Sequence, residues 1–196
     1  MPQALTGPAR HEADIRKSRF VALAAPIDSA QAAQAFLDTH RDPQATHNCW
    51  AWRLGDQYRF NDDGEPGGTA GRPILQAIES QDCDRVAVLV IRWFGGIKLG
   101  TGGLARAYGG TAAECLRVAD KIVLREEYRV CCSCPYSDID RVQARLLAAG
   151  ARIESSRFDT DGVVWDLRVV KEDEAALRAL HADQTRGRGD WSVRRG

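Results

Sequence analysis

The sequence predicts an α+β protein of two domains, and three observations support this prediction. The chain has 196 residues, of which 44% are apolar and 28% charged. This is enough chain for one or two domains that bury roughly 70% of their unfolded surface. Strand-like and helix-like segments alternate along the chain. Eleven of the 18 glycines lie between Gly64 and Gly110, so we expect the function in that part.

The first domain is expected over residues 15–124, after a flexible N-terminus at residues 1–14. A short apolar run at 19–25 predicts a strand, and Ser29 or the adjacent Asp28 can then cap a helix. Over residues 47–52 the side chains alternate between two faces, with His47, Cys49 and Ala51 on one and Asn48, Trp50 and Trp52 on the other. The aromatic run 58–60 follows a glycine turn. The two segments together predict a β-hairpin.

The longest apolar run, Arg85 to Phe94, predicts a central strand that is buried on both faces. A helix is predicted before this run, around Ile74, and another after it, from Leu104 to Ala119. The pair Gly109-Gly110 inside the latter should cost about 1 kcal/mol per glycine relative to alanine. Such a pair indicates close packing or a backbone approach to a ligand.

The second domain is expected over residues 125–196, with its boundary between Asp120 and Glu126. Its pattern is strand, helix, strand, strand, helix, strand, which is the split βαβ or ferredoxin-like order. The predicted strands are 128–134, 152–158, 163–170 and 191–193, and the predicted helices are 139–149 and 174–181.

The second glycine cluster allows three interpretations. Gly100 to Ala105 fits the dinucleotide pattern G-x-G-x-x-A, but five residues separate it from the preceding strand, unlike a Rossmann turn. The absence of G-K-[S/T] excludes a P-loop. Alternatively, glycine N–H groups and basic side chains bind an anion or an RNA backbone. The candidates are Arg92, Lys98, Arg106, Gly95, Gly96, Gly100, Gly102 and Gly103. The third interpretation is a tight loop required by backbone geometry.

A second group of candidates comprises His47, Asp62, Asp63 and Glu65. Paired carboxylates beside an imidazole are suited to acid–base work or to metal binding. Asn61 to Gly64 is equally ordinary turn chemistry, in which Asp side chains bind their own backbone. These four are therefore weak catalytic candidates, and we expect no metal and no cofactor.

The remaining motifs are weaker. The six cysteines are not spaced as a disulfide framework, so we interpret them as reduced. Cys131 and Cys134 form a formal C-x-x-C, but they face opposite sides of an extended strand. The chain has no recognisable catalytic triad, P-loop or zinc motif. The arginine-rich tail 186–195 could hold a phosphate backbone or form a charged edge strand.

Charge and hydropathy limit the function classes. Lys and Arg together number 27, as do Asp and Glu, so the formal net charge is zero. A dedicated non-specific nucleic-acid binder normally carries a basic excess, so nucleic-acid binding here requires a local patch. No window approaches the roughly 20 apolar residues of a membrane span, and the N-terminus lacks a signal-peptide core. We expect a cytoplasmic protein.

Several spaced motifs over about a hundred residues resemble the YigZ/IMPACT family. They are Lys17-Ser18-Arg19-Phe20, His47-Asn48-Cys49, residues 61–66, Thr69-Ala70-Gly71 and residues 92–104. The resemblance implies a first domain similar to ribosomal proteins and to domain four of elongation factor G. It also implies a ferredoxin-like second domain. Eukaryotic members of the family regulate translation but carry an additional N-terminal domain, so we do not expect their partner here.

Taken together, the residues and the resemblance predict a cytosolic protein that binds RNA or the ribosome and regulates translation. The alternative is an enzyme on a small anionic or phosphorylated substrate, with Asp62, Asp63, Glu65 and His47 near the Gly95–Gly103 loop. A third hypothesis is a protein-interaction module that uses tryptophan anchors, Trp50, Trp52 or Trp93. The particular RNA, partner, substrate and oligomeric state stay open.

Overall fold

The computed structural model describes residues 1–194. Contacts divide the chain into two units, residues 1–124 and residues 125–196. Residues 195 and 196, at the end of the second unit and of the arginine-rich tail, lie outside the described part. Both units combine helices with antiparallel sheet, so the chain is an α+β protein.

The first unit is built on a five-stranded antiparallel sheet of order β2-β3-β6-β4-β5, and β1 pairs separately with β7. Its elements are β1 (Gln3–Leu5), β2 (Ala9–Ile15), β3 (Ser18–Pro26), α1 (Ala30–His40), β4 (His47–Leu54), β5 (Gln57–Asn61), α2 (Gly71–Ser80), β6 (Val86–Trp93), α3 (Thr101–Val118) and β7 (Lys121–Val123).

The central strand β6 is covered on both faces, as its continuous apolar run predicts. Val86, Val88 and Val90 pack in the main core with α2 and α3. Leu89 and Ile91 face the opposite side and pack with Leu37 of α1. Because side chains alternate across a strand, the next position after Val90 on the main-core face is residue 92.

The prediction of a flexible N-terminus at residues 1–14 is wrong. Residues 9–15 form β2, which pairs with β3 along its whole length. Ala9 and Ile15 pack against the main core, while the positions between them are half-buried or exposed. This alternation is the signal of an edge strand with one buried face. The charged residues between the apolar ones concealed it.

The start of α1 matches a predicted cap, whereas α3 starts earlier than predicted. Ser29 caps α1 by accepting a hydrogen bond from the Ala32 N–H at 3.1 Å, which confirms one of the two predicted caps. The helix α3 begins at Thr101, three residues before the prediction. Gly109 lies against Pro73 of α2, where an added Cβ would approach the Pro73 Cβ to 3.3 Å. Close helix packing therefore accounts for the first glycine of the Gly109-Gly110 pair.

The second unit contains a four-stranded antiparallel sheet of order β11-β8-β10-β9. Its core includes Trp165 and Leu167 of the sheet together with Leu146 and Leu177 of the helices. The elements are β8 (Glu127–Pro135), α4 (Ile139–Ala148), β9 (Arg152–Phe158), β10 (Gly162–Val170), α5 (Glu174–Gln184) and β11 (Trp191–Arg194).

Two chain-wide features complete the description. All six cysteines carry free thiols, and burial raises the pKa of Cys49 and of Cys132 to about 12. Within residues 1–194, no helix has both the length and the apolar composition of a membrane span.

Candidate functional site

A charged side chain, that of Arg92, lies at the end of the row of β6 residues that face the main core. Arg92 follows Val90 on the same face of β6, and its sheet partners are Phe20 on β3 and His47 on β4. Its side chain is 6% exposed, although arginine is rarely buried to this degree without a partner. A buried guanidinium requires a counter-charge and hydrogen-bond acceptors.

Glu65 supplies the counter-charge from the loop between β5 and α2. Its Oε1 accepts hydrogen bonds from Arg92 Nη1 at 2.6 Å and from the Tyr108 hydroxyl at 2.7 Å. Arg92 Nη2 donates a longer bond, at 3.4 Å, to Ser18 Oγ. Tyr108 lies on α3 and packs edge-on against Phe20, with ring centroids 5.3 Å apart. The network therefore joins β3, β6, α3 and the β5–α2 loop.

His47 lies beside this network with a fixed tautomer. Its Nδ1 is 2.7 Å from the backbone carbonyl oxygen of Asp63. Because a carbonyl oxygen only accepts hydrogen bonds, Nδ1 carries the proton of the neutral ring. The Nε2 lone pair is then unprotonated and lies 3.8 Å from Glu65 Oε2. His47 thus presents a proton acceptor next to a buried carboxylate.

The two predicted aspartates hold the turn instead. Asp62 Oδ1 accepts from the N–H groups of Ala70 and Gly71, at 3.0 and 2.8 Å, and so caps α2. Asp63 Oδ2 accepts from the Asn48 N–H at 2.6 Å and ties the loop to β4. Of the four catalytic candidates, the structure therefore brings His47 and Glu65 together. The two aspartates fix the conformation of the loop that carries Glu65.

A cleft with a volume of about 410 Å³ opens above this network. The buried side chains of Glu65 and Arg92, together with His47, form its floor, and most of the exposed lining surface is apolar. Its walls come from the loop before α3 and the first turn of that helix. The lining residues are Thr46, His47, Glu65, Pro66, Arg92, Phe94, Lys98, Leu99, Gly100, Thr101 and Leu104. We call this the α3 cleft.

A smaller cavity of about 270 Å³ shares Leu99 with the α3 cleft. Arg16, from the turn between β2 and β3, and Arg106, on α3, both line it. The three predicted anion contacts are therefore distributed over two cavities: Arg92 and Lys98 line the α3 cleft, and Arg106 lines the smaller one.

The segment between β6 and α3, residues 94–100, is held against the β2–β3 turn by close backbone contact. We call it the glycine loop. A Cβ on Gly95 would lie 1.8 Å from the carbonyl oxygen of Lys17, so only glycine fits there. Gly96 and Gly100 have φ values of +88° and +73°, a region that favours glycine. Backbone geometry thus accounts for these three glycines, and it places the loop next to Arg16 and Lys17.

Four cations surround the loop without ion-pair partners. Arg16, Lys17, Lys98 and Arg106 are all exposed, and none of the ion pairs found in residues 1–194 involves them. We call these four residues the cationic surface. Phe94 and Ile97, in the same loop region, are 47% and 40% exposed.

Sequence reasoning missed Tyr108, Ser18, Arg16 and Lys17. Lys17 and Ser18 belong to one of the family motifs, whereas Tyr108 is hidden among the apolar residues of α3.

The described part of the chain contains no cluster of three or more His, Cys, Asp or Glu residues that could hold a metal ion.

The other candidates lie in structural positions. Trp52 is buried and Trp50 partly buried, both packed with α1, while Trp93 stacks under Arg19 at 5.0 Å. In the tail, Arg188 pairs with Asp138, and Trp191 Nε1 donates to Glu174 at 2.9 Å.

Two family models match the chain. The Impact N-terminal domain covers residues 16–116, and a domain of unknown function, DUF1949, covers residues 132–188. The first match contains every lining residue of the α3 cleft and all five family motifs.

Similar proteins extend over most of the chain. A Thermus thermophilus protein described as an IMPACT family member in the pol 5′ region is 51% identical, and the match covers 89% of this chain and 97% of that one. The Escherichia coli IMPACT family member YigZ is 37% identical over 89% of this chain and 88% of its own. A solved structure described as a hypothetical protein superposes with a TM-score of 0.67, 32% identity and coverage of 98% and 97%.

Proposed function

The chain belongs to the IMPACT family, and from that premise we propose that it binds structured RNA of the translation machinery through the cationic surface. The observation that carries the proposal is the convergence of the β2–β3 turn, the glycine loop and α3 on one patch of unpaired cations. Each of these elements contributes at least one basic side chain, so the patch is built by the fold rather than by one basic segment.

The chemistry of the patch suits a phosphate backbone. Lysine and arginine side chains that no carboxylate neutralises bind phosphates and release condensed counterions. Phe94 and Ile97 provide exposed apolar surface beside Lys98, on which an unpaired base can stack. Since the formal net charge of the chain is zero, such binding is confined to this patch.

Arg92 has a different place in this proposal. Its guanidinium is buried and bound to Glu65, so it contributes little charge to an RNA backbone that stays outside the protein. Arg16 and Lys17 take its place beside Lys98 and Arg106. The phosphate contacts are therefore the four residues of the cationic surface.

We further propose that the second unit is ferredoxin-like and that the first is of the type found in domain four of elongation factor G. The ferredoxin-like assignment is supported by the order β8-α4-β9-β10-α5-β11 and by the sheet order β11-β8-β10-β9. With the family relationship, these assignments favour a cytoplasmic protein with a role in regulating translation, which is an argument by analogy of fold.

Co-sedimentation with ribosomes from the same source tests the proposal. The test variant carries Lys17→Glu, Lys98→Glu and Arg106→Glu. The control carries Arg59→Glu, Arg145→Glu and Arg178→Glu, which change the net charge equally at exposed positions that form no ion pair in the described chain. We expect salt-sensitive binding by the wild type and the control, and loss of binding by the test variant. Wild-type binding by the test variant contradicts the proposal.

A further inference from the structure

The ion pair under the α3 cleft is incompletely satisfied. Arg92 and Glu65 share a single hydrogen bond, from Nη1 to Oε1, although the two groups can form two in parallel. The Arg92 Nε–H is buried and has no hydrogen-bond partner anywhere in residues 1–194. Buried donors are almost always paired in native proteins, so an unpaired one beside a cleft is a candidate contact for a ligand or for an ordered water.

An acceptor accompanies this donor. Both hydrogen bonds to Glu65 end on Oε1, and Oε2 lies 3.8 Å from His47 Nε2. Beside the cleft there are thus one buried N–H donor, one carboxylate oxygen and one imidazole lone pair. A ligand complementary to this floor carries hydrogen-bond donors and acceptors side by side, as the edge of a nucleobase does.

The wall of the cleft suits an anion. Gly100, Thr101 and Lys98 line it, and α3 is an 18-residue helix whose first turn contains no acidic residue. The N-cap residue, Gly100, provides no side chain to accept from the free N–H groups of that turn. These N–H groups, the helix dipole and the Lys98 ammonium all favour a phosphate.

The remaining lining is apolar. Pro66, Phe94, Leu99 and Leu104 lie between the polar floor and the helix N-terminus. Phe94 is half-exposed, and Arg92 Cζ lies 5.4 Å from its ring centroid, so only the part of the ring turned away from Arg92 can stack on a flat ring. A volume of about 410 Å³ lies within the range of small-molecule sites, which is about 300–1,000 Å³.

We infer that the α3 cleft binds a nucleoside monophosphate, either free or as the end nucleotide of an RNA. The base stacks on Phe94 and pairs with Arg92 Nε, Glu65 Oε2 and His47 Nε2, while the phosphate binds Lys98 and the first turn of α3. Binding of an RNA end rests on the proposed function, whereas binding of a free nucleotide does not. A fatty carboxylate leaves the polar floor unpaired, and inorganic phosphate leaves the apolar walls empty.

Calorimetric titration of the whole chain with the four nucleoside 5′-monophosphates tests this inference. Inorganic phosphate and the nucleosides serve as reference probes. We expect at least one nucleotide to bind at least ten-fold more tightly than its nucleoside and than inorganic phosphate. Absence of binding at millimolar nucleotide, or equal binding of inorganic phosphate, overturns the inference.

Variants assign the binding to the cleft. Phe94→Ala and Lys98→Ala replace exposed side chains, so both variants should fold, and each should weaken nucleotide binding about ten-fold. Glu65→Gln should change the preference among the four bases, provided that its unfolding transition shows an intact fold. Unchanged nucleotide affinity in both Phe94→Ala and Lys98→Ala contradicts the inference.

A double variant, Lys17→Glu with Arg106→Glu, separates the inference from the proposed function. It removes half of the cationic surface and no residue that lines the α3 cleft, so it should lose RNA and keep the nucleotide. In this background, displacement of the nucleotide by a 5′-phosphorylated oligoribonucleotide identifies an RNA end as a ligand. Binding of the nucleotide without displacement identifies a free nucleotide. Loss of RNA binding in the double variant, together with no nucleotide binding by the wild type, refutes the cleft inference alone, whereas RNA binding retained by the double variant contradicts the proposed function.

Discussion

Each unit buries a carboxylate against arginine, but the two arrangements differ in where the arginines lie. In the first unit, the side chains of Glu65 and Arg92 are 4% and 6% exposed. In the second unit, Asp138 is 7% exposed, whereas its partners Arg141 and Arg188 are 48% and 51% exposed. The second pairing keeps its cations in water, and the first removes both charges from it.

The difference shows which carboxylate is structural. Asp138 joins the start of α4 to the segment after α5 through two arginines. Because both arginines stay hydrated, this connection has a low desolvation cost. Burial of an entire ion pair incurs a desolvation penalty that the mutual attraction of the charges barely offsets. The burial of this pair is therefore weak evidence for stability, and the ligand that we infer for the α3 cleft would give the pair a role in binding.

Removal of one member of the buried pair should have the largest effect. Arg92→Met leaves Glu65 buried without its cation and should lower the free energy of unfolding of the first unit by about 3–5 kcal/mol. The double variant Arg92→Met/Glu65→Met should recover most of this loss, because no uncompensated charge remains. Urea unfolding followed by a probe in the first unit measures both. If the double variant is as unstable as the single one, the uncompensated charge of Glu65 is not the cause of the loss.

The corresponding change in the second unit should be milder. Asp138→Asn loses the carboxylate charge and one of the two oxygens that accept from arginine, but it leaves two hydrated arginines, so we expect a loss of about 1.5–3 kcal/mol. The same urea experiment, with a probe in the second unit, measures it. A loss larger than that of Arg92→Met would show that exposure of the cations does not set the cost.

A pH effect should distinguish the second unit further. Burial lowers the pKa of His181, whose Nε2 is 2.9 Å from the Ser133 carbonyl oxygen. The unfolded chain therefore binds a proton more readily than the folded one. Below the ordinary histidine pKa of about 6.5, stability should fall by at most about 1.4 kcal/mol per pH unit from this group.

Unfolding of the second unit between pH 7 and pH 5 measures this effect. The variant His181→Gln lacks the titrating group and should show a weaker pH dependence over the same range. An equal pH dependence in the variant and the wild type would assign the effect to other groups.

The smallest effect on stability is expected at the cationic surface. Lys98→Ala and Arg106→Ala remove exposed side chains without ion-pair partners, so each should change the free energy of unfolding by no more than about 0.5 kcal/mol. Thermal unfolding of each variant measures the change. A loss above about 1 kcal/mol would mean that these cations stabilise the fold, and a binding defect could no longer be assigned to lost phosphate contacts.

Much of the architecture follows from apolar periodicity. The central strand, the hairpin and the elements of the second unit were predicted within a few residues, because their burial patterns are regular. The strand β2 was missed because its buried positions are separated by Arg10, Glu12 and Asp14. Pairing of β1 with β7 joins segments more than a hundred residues apart, which local pattern does not reveal.

The candidate site was predicted in part. His47 and Glu65 were singled out by residue type and do line the cleft. The burial of Arg92 was missed, because an arginine after a strand of valines is usually the point where the strand reaches solvent. Tyr108 was missed because its ring serves the core while its hydroxyl serves Glu65. Such double roles depend on tertiary packing.

The salt dependence of RNA binding is the sharpest test of phosphate contacts at the cationic surface. For the wild type, the logarithm of the RNA association constant should fall linearly with the logarithm of salt concentration. The slope should decrease by about 0.7–0.9 for each phosphate contact removed. We predict a slope reduced by about 2–3 in Lys17→Ala/Lys98→Ala/Arg106→Ala and unchanged in the alanine control at Arg59, Arg145 and Arg178. Equal slopes in the two variants would contradict RNA binding by the cationic surface.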